Sequence, residues 1–72
     1  MPYEKDGKTL YHIQNLNICS DGEPFDVFVL SGHFPTRDDL RELYSREFPD
    51  DDSYLDEFLT SSNIYNVFVE EL

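Results

Sequence analysis

The sequence predicts an α+β fold: a two-layer sandwich ordered β-β-α-α-β, with two short amphipathic helices over a small, mostly antiparallel three-stranded sheet. Three observations predict it. Residues 25–30 (Phe-Asp-Val-Phe-Val-Leu) and 64–69 (Ile-Tyr-Asn-Val-Phe-Val) concentrate β-branched and aromatic side chains, as strands do. Leu40, Leu43, Tyr44 and Phe48, and then Leu55, Phe58 and Leu59, recur at helical spacing. Pro49 divides the two helical stripes, because it disfavours helical geometry in the residue before it. The 72 residues form one domain, residues 1–72. A chain of this size buries only about 60% of its unfolded surface, so no deep substrate cleft is expected.

At the N-terminus, Asp6-Gly7 is a two-residue hairpin turn of the kind that needs positive φ at both central positions, which predicts an extra N-terminal β-ribbon. Leu10 to Ile18 reads as the first long strand. Its alternation breaks: Tyr11 and Ile13 share one parity, Leu10, Leu16 and Ile18 the other. A bulge near Gln14-Asn15, or partial cover on both faces, accounts for the shift. Ser20-Asp21-Gly22-Glu23-Pro24 is a turn. The Phe25–Leu30 strand has two apolar faces, which predicts a central strand or one covered by an extra element. Thr36 with Asp38 and Asp39 caps the first helix, and Asp50-Asp51-Asp52 opens the second by the same helix-dipole logic. Asn63 is the expected left-handed cap at its end. The third strand can lie antiparallel beside the second or parallel beside the first.

Charge is the main functional signal. Sixteen Asp+Glu against five Lys+Arg give a net charge of −11. Residues 1–46 hold eight acids and all five bases, net −3, whereas residues 47–72 hold eight acids and no base, net −8. The 39% hydrophobic content and 15% aromatics, set in periodic segments, separate the chain from acidic disordered sequences. So acidic a body repels phosphate, which excludes direct nucleic-acid binding and anionic lipid and favours a basic partner. Solubility of a small domain needs a net charge of only about 2–8, so the surplus calls for a cationic surface to meet. On helical wheels Asp38 and Glu42 point away from Leu40, four residues apart, and Asp56 and Glu57 lie on the flank and outer face of the second helix. Asp50, Asp51 and Asp52 serve as caps, as partner contacts, or as both. Tyr54, at the edge of the apolar stripe beside these acids, is the preferred aromatic contact. The partner-binding set is therefore Asp38, Glu42, Asp50, Asp51, Asp52, Tyr54, Asp56 and Glu57.

Chemical motifs are sparse. The Asp50–Glu57 stretch has no central Gly and falls in a helical pattern, unlike a calcium loop. His12, Cys19 and His33 have no zinc spacing, and as a nucleophile with bases they occur too easily by chance. Gly7, Gly22 and Gly32 are isolated, so no phosphate loop is present. No cofactor, metal or catalytic residue is expected. Cys19 is expected to be semi-buried, its lone thiol suiting a reducing compartment. No apolar run approaches the roughly 20 residues of a membrane span, and residues 1–30 lack the basic-then-apolar pattern of a secretory leader.

In size, charge and layout the whole chain resembles the small acidic phage-encoded inhibitors of bacterial defence, the anti-CRISPR and DNA-mimic proteins, although it contains no motif specific to one of them. The resemblance implies a stoichiometric inhibitor, not an enzyme, that occludes the basic groove of a nucleic-acid-handling protein such as a CRISPR surveillance complex. A monomer or weak dimer is expected, in the cytoplasm, that of the bacterial host if phage-encoded. Arg37, Arg41 and the less acidic residues 1–46 depart from a uniform mimic. The alternatives are an antitoxin-like neutraliser of a basic nuclease and a structural or oligomeric phage component.

Overall fold

The computed structural model describes residues 1–20 and 22–69. Asp21 of the expected turn and Glu70–Leu72 of the acidic tail lie outside the described residues. The elements are β1 (Glu4–Lys5), β2 (Lys8–Ser20), β3 (Glu23–Ser31), α1 (Arg37–Glu47), α2 (Leu55–Ser61) and β4 (Asn63–Asn66). They form a four-stranded antiparallel sheet with two helices, the α+β fold expected, with the N-terminal ribbon as the fourth strand.

The turn between β1 and β2 has the expected geometry, with Asp6 at φ 55° and Gly7 at φ 77°. β2 then runs the length of the sheet. One edge pairs with β3, from Thr9↔Ser31 to Ser20↔Glu23, and β4 joins it through Tyr11↔Asn66 to Gln14↔Asn63. At the junction of β1 and β4 the Val67 N–H donates to the Leu10 carbonyl, the Leu10 N–H to Tyr3, and the Tyr3 N–H back to Val67.

Both expected places for the last strand are thus corrected: β4 is antiparallel to the first long strand. The central strand is β2, and β3, the strand with two apolar faces, is joined in the sheet only to β2. The helices pack on the face that carries Ile13 and Phe25, so Phe28 and Leu30, on the other face, point outward at 59% and 45% exposure.

The β2 register slips between Asn15 and Cys19. That slip explains the broken alternation, since Ile13 and Ile18 have opposite parity and both are buried. The helix-facing side of the sheet supplies Ile13, Ile18 and Phe25, and the helices supply Leu40, Tyr44, Phe58 and Leu59. Phe58 sits edge-on to Phe25 at 4.8 Å between ring centroids and 5.5 Å from Tyr44, which in turn contacts Phe48 at 4.8 Å. This aromatic cluster, with the small helices packed on it, is the interior; neither helix is long enough to persist alone.

α1 begins as expected. The Thr36 hydroxyl accepts the Asp39 N–H and the Asp39 carboxylate accepts the Thr36 N–H, a reciprocal capping box. α2 does not. Its first residue is Leu55, its N-cap is Tyr54 with no side-chain cap bond, and the acids in its first turn are Asp56 and Glu57. Asp50–Asp52 precede the helix and belong to the connection between helices. At the other end the C-cap is Ser62, with extended backbone (φ −71°, ψ 143°), and Asn63 already belongs to β4. No left-handed cap forms because the chain passes straight into the strand. β4 itself closes at Asn66, after which Phe68 bridges to Pro2.

Candidate functional site

The site forms where the α1–α2 connection passes over the bulged part of β2. Phe48 ends α1 and Pro49 turns the chain away. The loop that follows is held by its own backbone: the Asp51 N–H donates to the Phe48 carbonyl at 3.3 Å and the Leu55 N–H to the Asp52 carbonyl at 3.2 Å. Asp51 Oδ1 accepts the Ser53 N–H at 2.9 Å. The buried Tyr44 hydroxyl accepts the Tyr54 N–H at 3.1 Å, which fixes Tyr54 over the C-terminal half of α1.

Opposite this loop stands the bulge, set by Asn15. That side chain is fully buried, its oxygen accepts the Asn17 N–H at 2.9 Å, and its amide donates to the hydroxyls of Ser61 and Ser62 at 3.1 and 3.0 Å. One asparagine therefore shapes the strand and anchors the end of α2 to it.

Between bulge and loop lies a groove of about 350 Å³, lined by Asn17, Ile18, Cys19, Tyr44, Phe48, Asp51 and Tyr54. A second groove of about 300 Å³ adjoins it across Tyr44, Phe48 and Asp51, and is rimmed by Asp50, Asp52, Pro49 and Leu55. The pair has an aromatic floor and a carboxylate rim. The Ser53 hydroxyl and backbone N–H hold the Asp51 carboxyl below the ordinary carboxylate range, so this rim residue is ionised at neutral pH. No hydrogen bond or ion pair to a described residue occupies the carboxylates of Asp50 and Asp52. Each groove sits at the small end of ligand-binding cavities and has the scale of a single long side chain.

The structure gathers part of the expected set and scatters the rest. Asp50, Asp51, Asp52 and Tyr54 converge on the two grooves. Asp38 lies near the start of α1, about 14 Å along its axis from Glu47. Glu42 pairs with Arg46 at 3.6 Å beside a different cleft, between β3 and α1. Asp56 and Glu57 are exposed on α2, line neither groove, and Glu57 accepts from the Ser61 hydroxyl at 3.3 Å. Arg37 and Arg41 make no ion pair among the described residues, whereas Arg46 pairs with Glu42.

Cys19 is exposed, not semi-buried, because the bulge rotates it out of the interior. Seven residues of β2, roughly 20 Å, separate it from His12. Each histidine has its own acid: His12 bonds Asp26 on the sheet, and His33 Nε2 lies 2.8 Å from Asp39 Oδ2. The Thr36 N–H foremost, then His33, lower the Asp39 pKa. Among the described residues no three His, Cys, Asp or Glu side chains are grouped to hold a metal ion, and no helix is long and apolar enough to cross a membrane.

Sequence reasoning missed Asn15 and Tyr44 as the residues that position the site. Its place where the apolar alternation of β2 breaks was the available signal for Asn15. Comparison with protein-family models, with curated proteins and with solved structures finds no match in any of the three.

Proposed function

We propose that this chain is a non-catalytic binding protein that docks by its helical layer onto a basic nucleic-acid-handling protein and blocks that protein's access to nucleic acid. The observation that carries this reading is the double groove at the helix connection, where an aromatic floor meets a rim of carboxylates. Such a site matches a lysine or arginine side chain: the aliphatic stem or guanidinium plane lies on Tyr54 and Phe48, and the charged head meets Asp50, Asp51 and Asp52. The surrounding negative field, from Asp38, Glu42, Asp56 and Glu57, steers a cationic surface toward it and raises the on-rate; the groove contacts then slow release. In a bacterial host the chemistry suits a CRISPR surveillance complex or another defence nuclease, whose nucleic-acid groove is lined by Lys and Arg.

The test separates groove from field. Asp50→Lys with Asp52→Lys and Asp56→Lys with Glu57→Lys both change the net charge by +4, so their effects on steering are alike. The chain is immobilised and bacterial lysate is passed over it at 50 and 500 mM salt. A basic nucleic-acid-binding protein should be retained at low salt and lost at high salt, and the purified partner's nucleic-acid binding should fall as this chain is added. The groove pair should raise the partner's Kd at least tenfold more than the α2 pair. Equal effects of the two pairs would remove the groove from the interface, and a partner that binds nucleic acid undisturbed would remove the inhibitory role.

A further inference from the structure

The helices cover one face of the sheet only. The other face is set by register. Lys5 pairs with Lys8, Leu10 with Leu30, His12 with Phe28 and Tyr65, and Gln14 with Asp26 and Asn63. These four rows share a parity opposite to the side of the buried Tyr11, Ile13 and Phe25. Phe28 is 59% exposed, Tyr65 49% and Leu30 45%, an apolar centre with no layer over it.

We infer that this open sheet face is where a second copy of the chain docks, face to face, about a two-fold axis that sets the strands of one copy antiparallel to those of the other. Charge order along the face is the reason. The two lysines stand at one end and Asp26 at the other, with the apolar rows between. A two-fold axis through the middle inverts the order in the partner copy, so each Lys5–Lys8 end meets an Asp26 end, and each leucine row meets an aromatic row. The face is therefore complementary to itself, as an isologous interface requires.

The acids of the helical layer do not oppose this arrangement, because they stay on the outside of the pair. Stacked layers are about 10 Å apart, which puts the two helical layers roughly 30 Å from each other, several times the ~8 Å Debye length at physiological salt. Single-stranded nucleic acid fits less well. Phe28 and His12 are cofacial cross-strand neighbours, 4.5 Å apart with planes 14° from parallel. Side chains on adjacent strands that stack on each other stand upright on the sheet, so they show ring edges outward rather than the flat faces on which bases stack.

The face measures about 20 Å along β2 and about 14 Å across three strands, near 300 Å² in projection. That is well below the roughly 800 Å² per partner of stable complexes. The dimer is weak and reversible, and it presents two acidic layers on opposite sides, so bivalent engagement of a partner assembly follows from it.

Sedimentation equilibrium of the whole chain from about 5 µM to 1 mM, at neutral pH and 150 mM salt, tests this. A monomer–dimer equilibrium is expected within that range. Leu30→Lys, at an exposed position, should abolish it, and Asp26→Lys should raise the dimer Kd at least tenfold by setting lysine against lysine. Adding Lys5→Asp and Lys8→Asp to the Asp26→Lys chain should return the Kd to within about threefold of the starting value. Thermal melts of each variant establish that it is folded, and Leu30→Lys stands in if Asp26→Lys unfolds on losing the His12 bond. A monomer throughout, a dimer indifferent to Leu30→Lys, or no rescue by the reciprocal charges would overturn the inference. So would a labelled oligonucleotide bound on this face by a chain that stays monomeric. Since the groove lies on the opposite layer, failure here leaves the helical-layer reading standing, and the reverse.

Discussion

Asn15 and Tyr44 make the groove possible without forming its charged rim. The Asn15 side chain makes three hydrogen bonds from a fully buried position, one within the bulge and two to the end of α2. Asn15→Ala should cost about 2–4 kcal/mol in urea unfolding, the loss of those bonds plus a small void. Tyr44→Phe keeps the packing and frees the Tyr54 N–H; about 1 kcal/mol of stability should go, with a larger proportional loss of partner affinity because Tyr54 is no longer held. At the start of α1, Thr36→Ala should cost about 1 kcal/mol. The Asp39 carboxyl titrates below its ordinary value near 3.8, so on acidification the unfolded chain takes up this proton first. The advantage of the native chain over Asp39→Asn should be complete above pH ~5 and shrink from there as pH falls through the lowered folded-state value. Paired urea titrations between pH 7 and 2.5 measure it, and an advantage independent of pH would show that the carboxylate is not what the cap uses.

At the level of elements, what the sequence disclosed followed from local chemistry. Asp6-Gly7 marked a turn because few other pairs tolerate positive φ twice in succession. Thr36 with two aspartates marked a helix start, Pro49 a helix end, and the failed alternation between Ile13 and Ile18 marked a bulge. What it hid depended on partners distant in the chain. Nothing in residues 63–66 states whether they pair with β2 or β3, since both neighbours are apolar on the helix side. The two-faced pattern of Phe25–Leu30 suggested burial on both sides, although only Phe25 is fully covered; a strand with two apolar faces has the same composition whether the second is covered by its own chain, by another molecule or by nothing. Asp50–Asp52 matched the composition of a helix start, yet Tyr54 and Leu55 take that place, since the loop must first carry the chain from α1 back over Tyr44. Of the candidate site, the Asp50–Asp52 and Tyr54 part was legible from charge and position. The groove was not, because its far wall comes from the β2 bulge, more than thirty residues earlier.

On the scale of the whole molecule, composition is divided between layers. The helical layer and its connection carry most of the acids, while the open sheet face carries Lys5, Lys8 and a single described acid, Asp26, bonded to His12. The interior that joins the layers is small, and a domain of this length has a total stability of only about 4–11 kcal/mol. Phe58→Ala, which removes the centre of the aromatic cluster, should cost about 3–5 kcal/mol, a large share of that total, and raise the unfolded fraction accordingly. Circular dichroism at 25 and 37 °C reads that directly. Surface substitutions are far less costly, so the charges on the helical layer can be altered without losing the fold.

The decisive measurement is a residue-resolved NMR titration of the isotope-labelled chain with a nona-arginine peptide at 150 mM salt. Saturable shifts should concentrate at Asn17–Cys19 and Phe48–Leu55, the two walls of the groove, and Asp50→Lys with Asp52→Lys should remove them. Shifts spread evenly over all the exposed acids, or centred on Asp56 and Glu57, would show a diffuse field with no site in it, and the groove would then have no part in recognition.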